Sequence, residues 1–442
     1  MSALVLLAFD VALAALALLL SDQGRLVPSL SILGALALLG TWQLVLFTTT
    51  HRPTVKYKIE PFYQRSHYVT SAIQVLIYVY LAQYWDAIRT NAPLIIAQAL
   101  IGGLCDIQLA WSRGRTARLS FGMMPVILSM NLFLWFREDY YYFQILMVAL
   151  AFFSKEFVTW NYEGRRRHIF NPSALPLTVL AVFVLVTGRL DLTSGVDLVA
   201  LFEFAPNFYE VMFLLGLVSQ ALFRTAPVSF GTVVSLCAMY YSTQWICGEP
   251  LAETPIHPQV FLGLTFLVTD PATSPKSSLG RFLYGFTYGV GVFGAYLALQ
   301  LTYKPGFFDK LLIVPLVNLM VPLFDSASAR LEKLGASFFD RVPAGLSRWG
   351  WFGTYALLMV LILPDLKIVT TRPITLVPKA KFMLSKEMDV IAKNYFYCRT
   401  IYPEAYKPYA LWYELAHLNE IRQVYHRGLA EQLMLSGAKA GT

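Results

Sequence analysis

The residues best suited to chemistry stand in two short runs at the edges of apolar segments. The first is Arg165-Arg166-Arg167-His168-Ile169-Phe170-Asn171-Pro172-Ser173, where a cationic cluster passes into an Asn-Pro pair and then a long apolar stretch. Asn can accept hydrogen bonds from free backbone N–H groups at a helix start, and Pro is tolerated at the first helical position. A helix end of this kind presents donors and a partial positive charge, which suits an anion such as a phosphate. The same pattern also serves as a topology anchor with an ordinary cap. The second run, Thr269-Asp270-Pro271-Ala272-Thr273-Ser274-Pro275-Lys276 with Gly280-Arg281 after it, again puts a short polar side chain before Pro and hydroxyls after it. Irregular polar backbone at membrane depth is tolerated only against protein, water or a ligand. Beyond it, Gly280, Gly285, Gly289, Gly291 and Gly294 stand beside Tyr284, Phe286 and Tyr288. That face suits close helix packing or a flat aromatic ring. The candidate ligand-binding residues are therefore Arg167, His168, Asn171, Pro172, Ser173, Thr269, Asp270, Thr273 and Tyr284. Cys105, Cys237, Cys247 and Cys398 show no C-x-x-C spacing, so no metal site is expected. No P-loop or dinucleotide fingerprint is present.

The elements that position these residues follow from composition. With 57% hydrophobic and 14% charged residues, the chain departs from soluble domains, which average about 25% charged. It reads as an all-α polytopic membrane protein. Apolar segments at 2–20, 28–49, 68–86, 92–111, 121–136, 141–160, 171–188, 206–223, 227–246, 257–269, 280–303, 309–324 and 350–364 predict about thirteen transmembrane helices. Alternate loops sort by charge. One set holds Arg52, Lys56, Lys58, Arg65, Arg113, Arg115, Arg118, Arg165, Arg166, Arg167, Arg224, Lys276, Arg281, Arg330, Lys333, Arg341 and Arg348, and the other holds Asp86, Glu138, Asp139, Asp191, Asp197, Glu203, Glu249 and Glu253. The positive-inside bias then predicts a cytoplasmic N-terminus and a tail outside. The net charge of +8 is spent on orientation, and no nucleic-acid partner is expected. Residues 327–346 alternate basic and apolar positions in the manner of an interfacial helix. Arg115-Thr116-Ala117 to Gly122 and Arg224-Thr225-Ala226 to Gly231 echo one another, which predicts one helix-start solution used twice. The tail is polar and Tyr-rich, and Leu411, Leu415, Leu418, Ile421 and Tyr425 predict a docking helix there. Cys247 and Cys398 both fall on the outer side, where a disulfide could form. Asp10 and Asp106 are acids inside apolar segments, where pairing or an ion path is the usual reason for a charge.

Five motifs occur in one order: Glu60-Pro61-Phe62-Tyr63-Gln64-Arg65-Ser66-His67; Ser112-Arg113-Gly114-Arg115; Arg167-His168-Ile169-Phe170-Asn171-Pro172-Ser173-Ala174; Thr269-Asp270-Pro271-Ala272-Thr273 through Gly280-Arg281; and Val317-Asn318-Leu319-Met320-Val321-Pro322-Leu323-Phe324-Asp325. In this the chain resembles the D subunit of the Rnf electron-transport complex and the B subunit of the sodium-pumping NADH:quinone reductase, the RnfD/NqrB family, with UnbU-like relatives. The resemblance implies a ten-helix core in two inverted halves over 51–325, preceded by two additional helices in 1–50. It leaves an interfacial helix and an extra transmembrane helix in 326–364, and an extracytoplasmic tail in 365–442. It implies a subunit of a redox complex in a bacterial inner membrane, with flavin and electron transport. Partner subunits would meet the tail and helices one, two and thirteen. Family members attach FMN to the Thr of an Asp-x-x-Ser-Gly-Ala-Thr motif, whereas this chain reads Asp191-Leu192-Thr193-Ser194-Gly195-Val196-Asp197. A carboxylate at Asp197 cannot form that phosphoester, so a non-covalent flavin, riboflavin or FMN, is expected in place of covalent FMN. A non-redox scaffold subunit and a small-solute channel or transporter remain the other readings.

Overall fold

The computed structural model describes residues 2–49, 58–162, 164–205, 207–247, 251–252, 254–302, 304–339 and 344–367. The chain divides into two units, one of residues 1–298 with 306–371 and one of 299–305 with 372–442. The first holds the fold below. The docking helix and Cys398 fall in 368–442, outside the described residues.

Sixteen helices are described: α1 (Ser2–Asp22), α2 (Leu26–Thr49), α3 (Arg65–Leu81), α4 (Ala87–Thr90), α5 (Ala92–Ser112), α6 (Met123–Phe133), α7 (Tyr141–Phe157), α8 (Ala174–Thr187), α9 (Gly195–Phe204), α10 (Phe208–Phe223), α11 (Ala226–Cys247), α12 (Pro258–Phe266), α13 (Ser278–Leu301), α14 (Asp309–Leu319), α15 (Val321–Phe339) and α16 (Ala344–Lys367). Each of the thirteen apolar segments contains one of them. Four helices among the described residues are long and apolar enough to cross a membrane: Leu4–Asp22, Leu26–Thr48, Ala92–Ser112 and Ser278–Leu301. A fifth exists if Gly306–Leu319 and Val321–Leu331, bent by 62° at their junction, form one broken span. By length and apolarity alone, thirteen full crossings are not reached among the described residues. The segments 121–136 and 257–269 yield only α6, of 11 residues, and α12, of 9, against the roughly 20 residues a straight helical span needs.

The truncation of α6 has a visible cause. The chain becomes extended at Leu134, and the freed backbone groups are taken up by a buried amide: Gln144 Oε1 accepts from Phe136 N at 3.1 Å and Gln144 Nε2 donates to Leu134 O at 3.4 Å, the same Nε2 also bonding Asn131 Oδ1 at 2.9 Å. Asn131 Nδ2 in turn donates to Gln98 Oε1 on α5 at 2.7 Å. Backbone left unpaired in hydrocarbon would cost several kcal/mol per group, so a helix breaks inside a bundle only where such partners exist.

Two small sheets correct the all-α expectation. β1 (Ile59–Pro61) runs parallel to β2 (Ala117–Leu119), and β3 (Thr159–Tyr162) is antiparallel to β4 (Arg165–His168). The arginine run is therefore a hairpin strand and not a simple loop. Gly164, at φ 73, supplies the left-handed backbone that its two-residue turn requires. Thr116 and Ala117 consequently lead into β2, whereas Thr225 leads directly into α11, so the sequence echo does not mark two equivalent helix starts.

Glycines set the α11–α13 contact. A Cβ at Gly285 would lie 1.9 Å from Val228 O, and Thr232 Oγ1 donates to Gly285 O at 3.0 Å. The glycine face is occupied by a helix, which settles its purpose as backbone packing. The helices outside the family-like core lie against it: α1 and α2 pack on α5, and α16 packs on α10 and α11. The predicted interfacial segment forms α15, whose helix begins earlier than 327 and ends at Phe339. Asp10 accepts from Gln43 Nε2 at 3.3 Å, a pairing between α1 and α2.

The acidic set of loops meets at one end. Ser194 N donates to Trp135 O at 2.7 Å, and Arg25 bonds Glu138 at 2.6 Å. Two of the arginines there are paired, Arg25 with Glu138 and Arg189 with Asp191 at 2.9 Å. The basic loops gather separately, around the site described next.

Candidate functional site

Two Asx-Pro turns from distant parts of the chain form the centre. In the first, Asn171 Oδ1 accepts from Ser173 N at 2.9 Å and from Ser173 Oγ at 2.7 Å. Its backbone carbonyl accepts from Ala174 N and Leu175 N, at 3.0 and 3.2 Å, so Asn171 serves the turn that leads into α8. In the second, Asp270 Oδ1 accepts from Ala272 N at 3.1 Å and Oδ2 accepts from Thr273 Oγ1 at 2.9 Å. This turn caps no helix. α13 starts only at Ser278, and it is Ser277 Oγ that accepts from Gly280 N, at 2.9 Å.

Asn318 joins the two turns. Fully buried at the end of α14, it accepts from Asn171 N at 3.2 Å through Oδ1. Its Nδ2 donates to Thr273 O at 3.2 Å and to Tyr284 Oη at 2.8 Å. Asn171 Nδ2 adds a bond to Leu267 O at 2.9 Å. Asp325 makes a second clasp nearby: it accepts from Tyr162 Oη on the hairpin at 2.7 Å and from Lys276 N at 2.9 Å. Burial and then the Asp325 carboxylate push the Tyr162 hydroxyl up to about 12.

These clasps hold an open cavity of about 980 Å³. Its apolar wall includes Phe62, Val126, Phe223 and Phe266, and its polar lining includes His67, Gln74, Asp106, Lys155, His168, Asn171, Ser173, Thr269 and Asp270. A second hollow of about 510 Å³ shares Arg115, Lys155, Glu156 and His168 with it and adds Arg166 and Arg167. Most of the charges are paired. Lys155 lies 3.1 Å from Asp106, and Glu156 bonds Arg115 with Arg166 at 3.7 Å and Arg113 at 3.8 Å. Arg118 lies over the Phe62 ring at 5.1 Å. Three polar atoms of lining residues, His67 Nδ1, Gln74 Oε1 and His168 Nε2, are buried without a hydrogen-bond partner among the described residues. Burial holds the His168 imidazole below its ordinary range; Lys155 and Arg167 act in the same sense and Asp270 opposes them.

Of the residues predicted from sequence, His168, Asn171, Pro172, Ser173, Thr269 and Asp270 line the cavity, and Arg167 lines the second hollow. Thr273 and Tyr284 are buried behind it, bonded to Asp270 and Asn318. Asp197 is on α9, part of the opposite, acidic set of loops. The candidate set lacked His67, Arg115, Lys155, Glu156 and Asn318. Three of these, His67, Arg115 and Asn318, stood inside the five ordered motifs, so motif membership was a usable signal, whereas Lys155 and Glu156 inside α7 gave none.

The class is a mostly helical, multi-pass membrane protein with a ligand-sized cavity lined by segments from both halves of the chain. Residues 208–332 match the model of the NQR2, RnfD, RnfE family. The match runs from α10 through most of α15 and includes Asp270, Asn318 and Asp325, while the motifs at 60–67, 112–115 and 167–174 lie outside it. No curated protein and no solved structure matches the chain.

Proposed function

We propose that this chain is an integral membrane subunit of an electron-transport complex that holds a flavin, FMN or riboflavin, without a covalent bond. The observation that carries the reading is the convergence of five motifs, spread over residues 60–325, on one cavity and its clasps. At about 980 Å³ the cavity lies within the range of small-molecule sites, about 300–1,000 Å³. The lining fits such a group. Phe62, Val126 and Phe266 offer apolar surface to a flat ring, and the unpartnered His67 Nδ1, Gln74 Oε1 and His168 Nε2 offer hydrogen bonds to its polar edge. When bound, a flavin would supply one- and two-electron transfer that side chains cannot. The chain's own part is to orient the ring, exclude bulk water with the two Asx-Pro turns, and hold charge near it through the Asp106–Lys155 pair. Electron relay across the membrane would then need partner groups on the opposite side, and α1, α2 and α16, on the periphery of the core, are the surfaces for lipid and for other subunits. The basic face is the cytoplasmic one in this reading.

The test is an absorption spectrum of the purified protein followed by acid extraction, with in-gel fluorescence of the denatured chain. Extractable flavin and a dark gel band are expected. A fluorescent peptide covering Thr193 to Asp197 would overturn the non-covalent reading, and no flavin at all would favour a scaffold subunit in which the motifs act only as fold determinants.

A further inference from the structure

The β3–β4 hairpin and the end of α7 build a feature that a flavin ring does not use. In the hollow of about 510 Å³, Arg115, Lys155, Arg166 and Arg167 face a single lining carboxylate, Glu156. Glu156 is shared by three arginines. Arg166 is further fixed by its Nε bond to Thr159 Oγ1 at 2.9 Å and by a bond to Glu156 O at 2.5 Å. Lys155 has Asp106. Arg167 has no carboxylate partner among the described residues, and the buried, unpartnered His168 Nε2 belongs to the next residue along the strand. A concave, cation-rich hollow with one uncommitted guanidinium and a fixed neighbour is pre-organised for a planar or tetrahedral oxyanion. Antiparallel pairing aligns Arg167 with Trp160 and Arg166 with Asn161, so the strand register fixes the backbone from which both arginines extend.

We infer that this hollow binds a phosphoryl group, with Arg167 as its principal contact and the Glu156-held arginines as its electrostatic frame. The group would come either from a soluble phosphate monoester or from the headgroup of an anionic lipid, since both present the same oxyanion. The inference does not depend on a flavin in the larger cavity: the anion site can be present when the protein carries no flavin, and absent when it does.

The experiment uses the full chain in nanodiscs of a zwitterionic lipid. One arm titrates glycerol phosphate by calorimetry, and the other replaces part of the lipid with phosphatidate and reads retention of that lipid by native mass spectrometry. Arg167→Gln should weaken binding about tenfold or more in whichever arm binds, as loss of a charge-assisted contact does, and Arg167→Lys should restore part of it. Arg330→Gln, at an exposed residue that does not line the hollow, should leave binding unchanged. Binding in the first arm identifies a soluble ligand and binding in the second a lipid. No binding in either arm, or an equal loss in Arg167→Gln and Arg330→Gln, overturns the inference. Thermal unfolding of each variant, expected to match the parent because Arg167 has no ion-pair partner to lose, separates a lost site from a lost fold.

Discussion

Replacing Asn318 by Ala tests whether the two Asx-Pro turns are held as one unit. Asn318 is fully buried and makes three hydrogen bonds, from Asn171 N and to Thr273 O and Tyr284 Oη. A net hydrogen bond contributes about 1 kcal/mol, but a buried group left unpaired costs about 1–3 kcal/mol. Three groups lose their partner at once, and partial relaxation sets the expected loss at about 3–5 kcal/mol. Tyr284→Phe removes only the bond to the hydroxyl and should cost about 1 kcal/mol. In the double variant the Tyr284 bond is already gone, so the cycle should show a coupling of about 1 kcal/mol. Asn318→Asp keeps an acceptor for Asn171 N and should fall between the two. The assay is reversible unfolding in mixed micelles with rising anionic detergent, followed by tryptophan fluorescence. Equal costs for Asn318→Ala and Tyr284→Phe, or strict additivity between them, would refute the clasp.

Three further outcomes follow from the same geometry. Gly285→Val should destabilise by at least about 1–3 kcal/mol, because a Cβ there meets Val228 O, whereas Gly294→Ala, with nothing within 4 Å, should be neutral or slightly stabilising in the same assay. His168 resists protonation in the folded state, so the unfolded chain binds the proton more readily and stability should fall as pH drops below about 6.5, the ordinary His value; His168→Gln should flatten that part of the thermal-stability profile, and an unchanged profile would exclude His168 as its source. Single cysteines placed at Arg118 and Arg189 should label from opposite sides of sealed vesicles, with the Arg118 side cytoplasmic; labelling from one side would disprove the segregation of basic and acidic loops.

Much of the helical plan was legible in the sequence, because a segment that must satisfy its own backbone in lipid has to be both apolar and helical. All thirteen apolar segments contain a helix, and several basic loops gather around the cavity while the loops at Trp135, Glu138 and Ser194 meet one another. Two of the five ordered motifs, at 269–281 and 317–325, fall within the match over 208–332. Lengths and interruptions were a different matter. α6 stops at Phe133 because Gln144 offers the backbone beyond it other partners, and Gln144 comes from α7, where no local signal marks it. The arginine run reads as a loop by composition, yet Thr159 to Tyr162 lies opposite it in the chain and converts it to a strand. Asp270 has the look of a helix cap, but only the backbone beyond it decided that a turn and not a helix follows. The site itself lies at the far limit of what sequence determines. Residue types in each motif announced polar chemistry near a membrane face, while the meeting of residues 60–67, 171–173 and 269–272 around one cavity depends on contacts such as Asn318 to Asn171, 147 residues apart, which only tertiary packing can select.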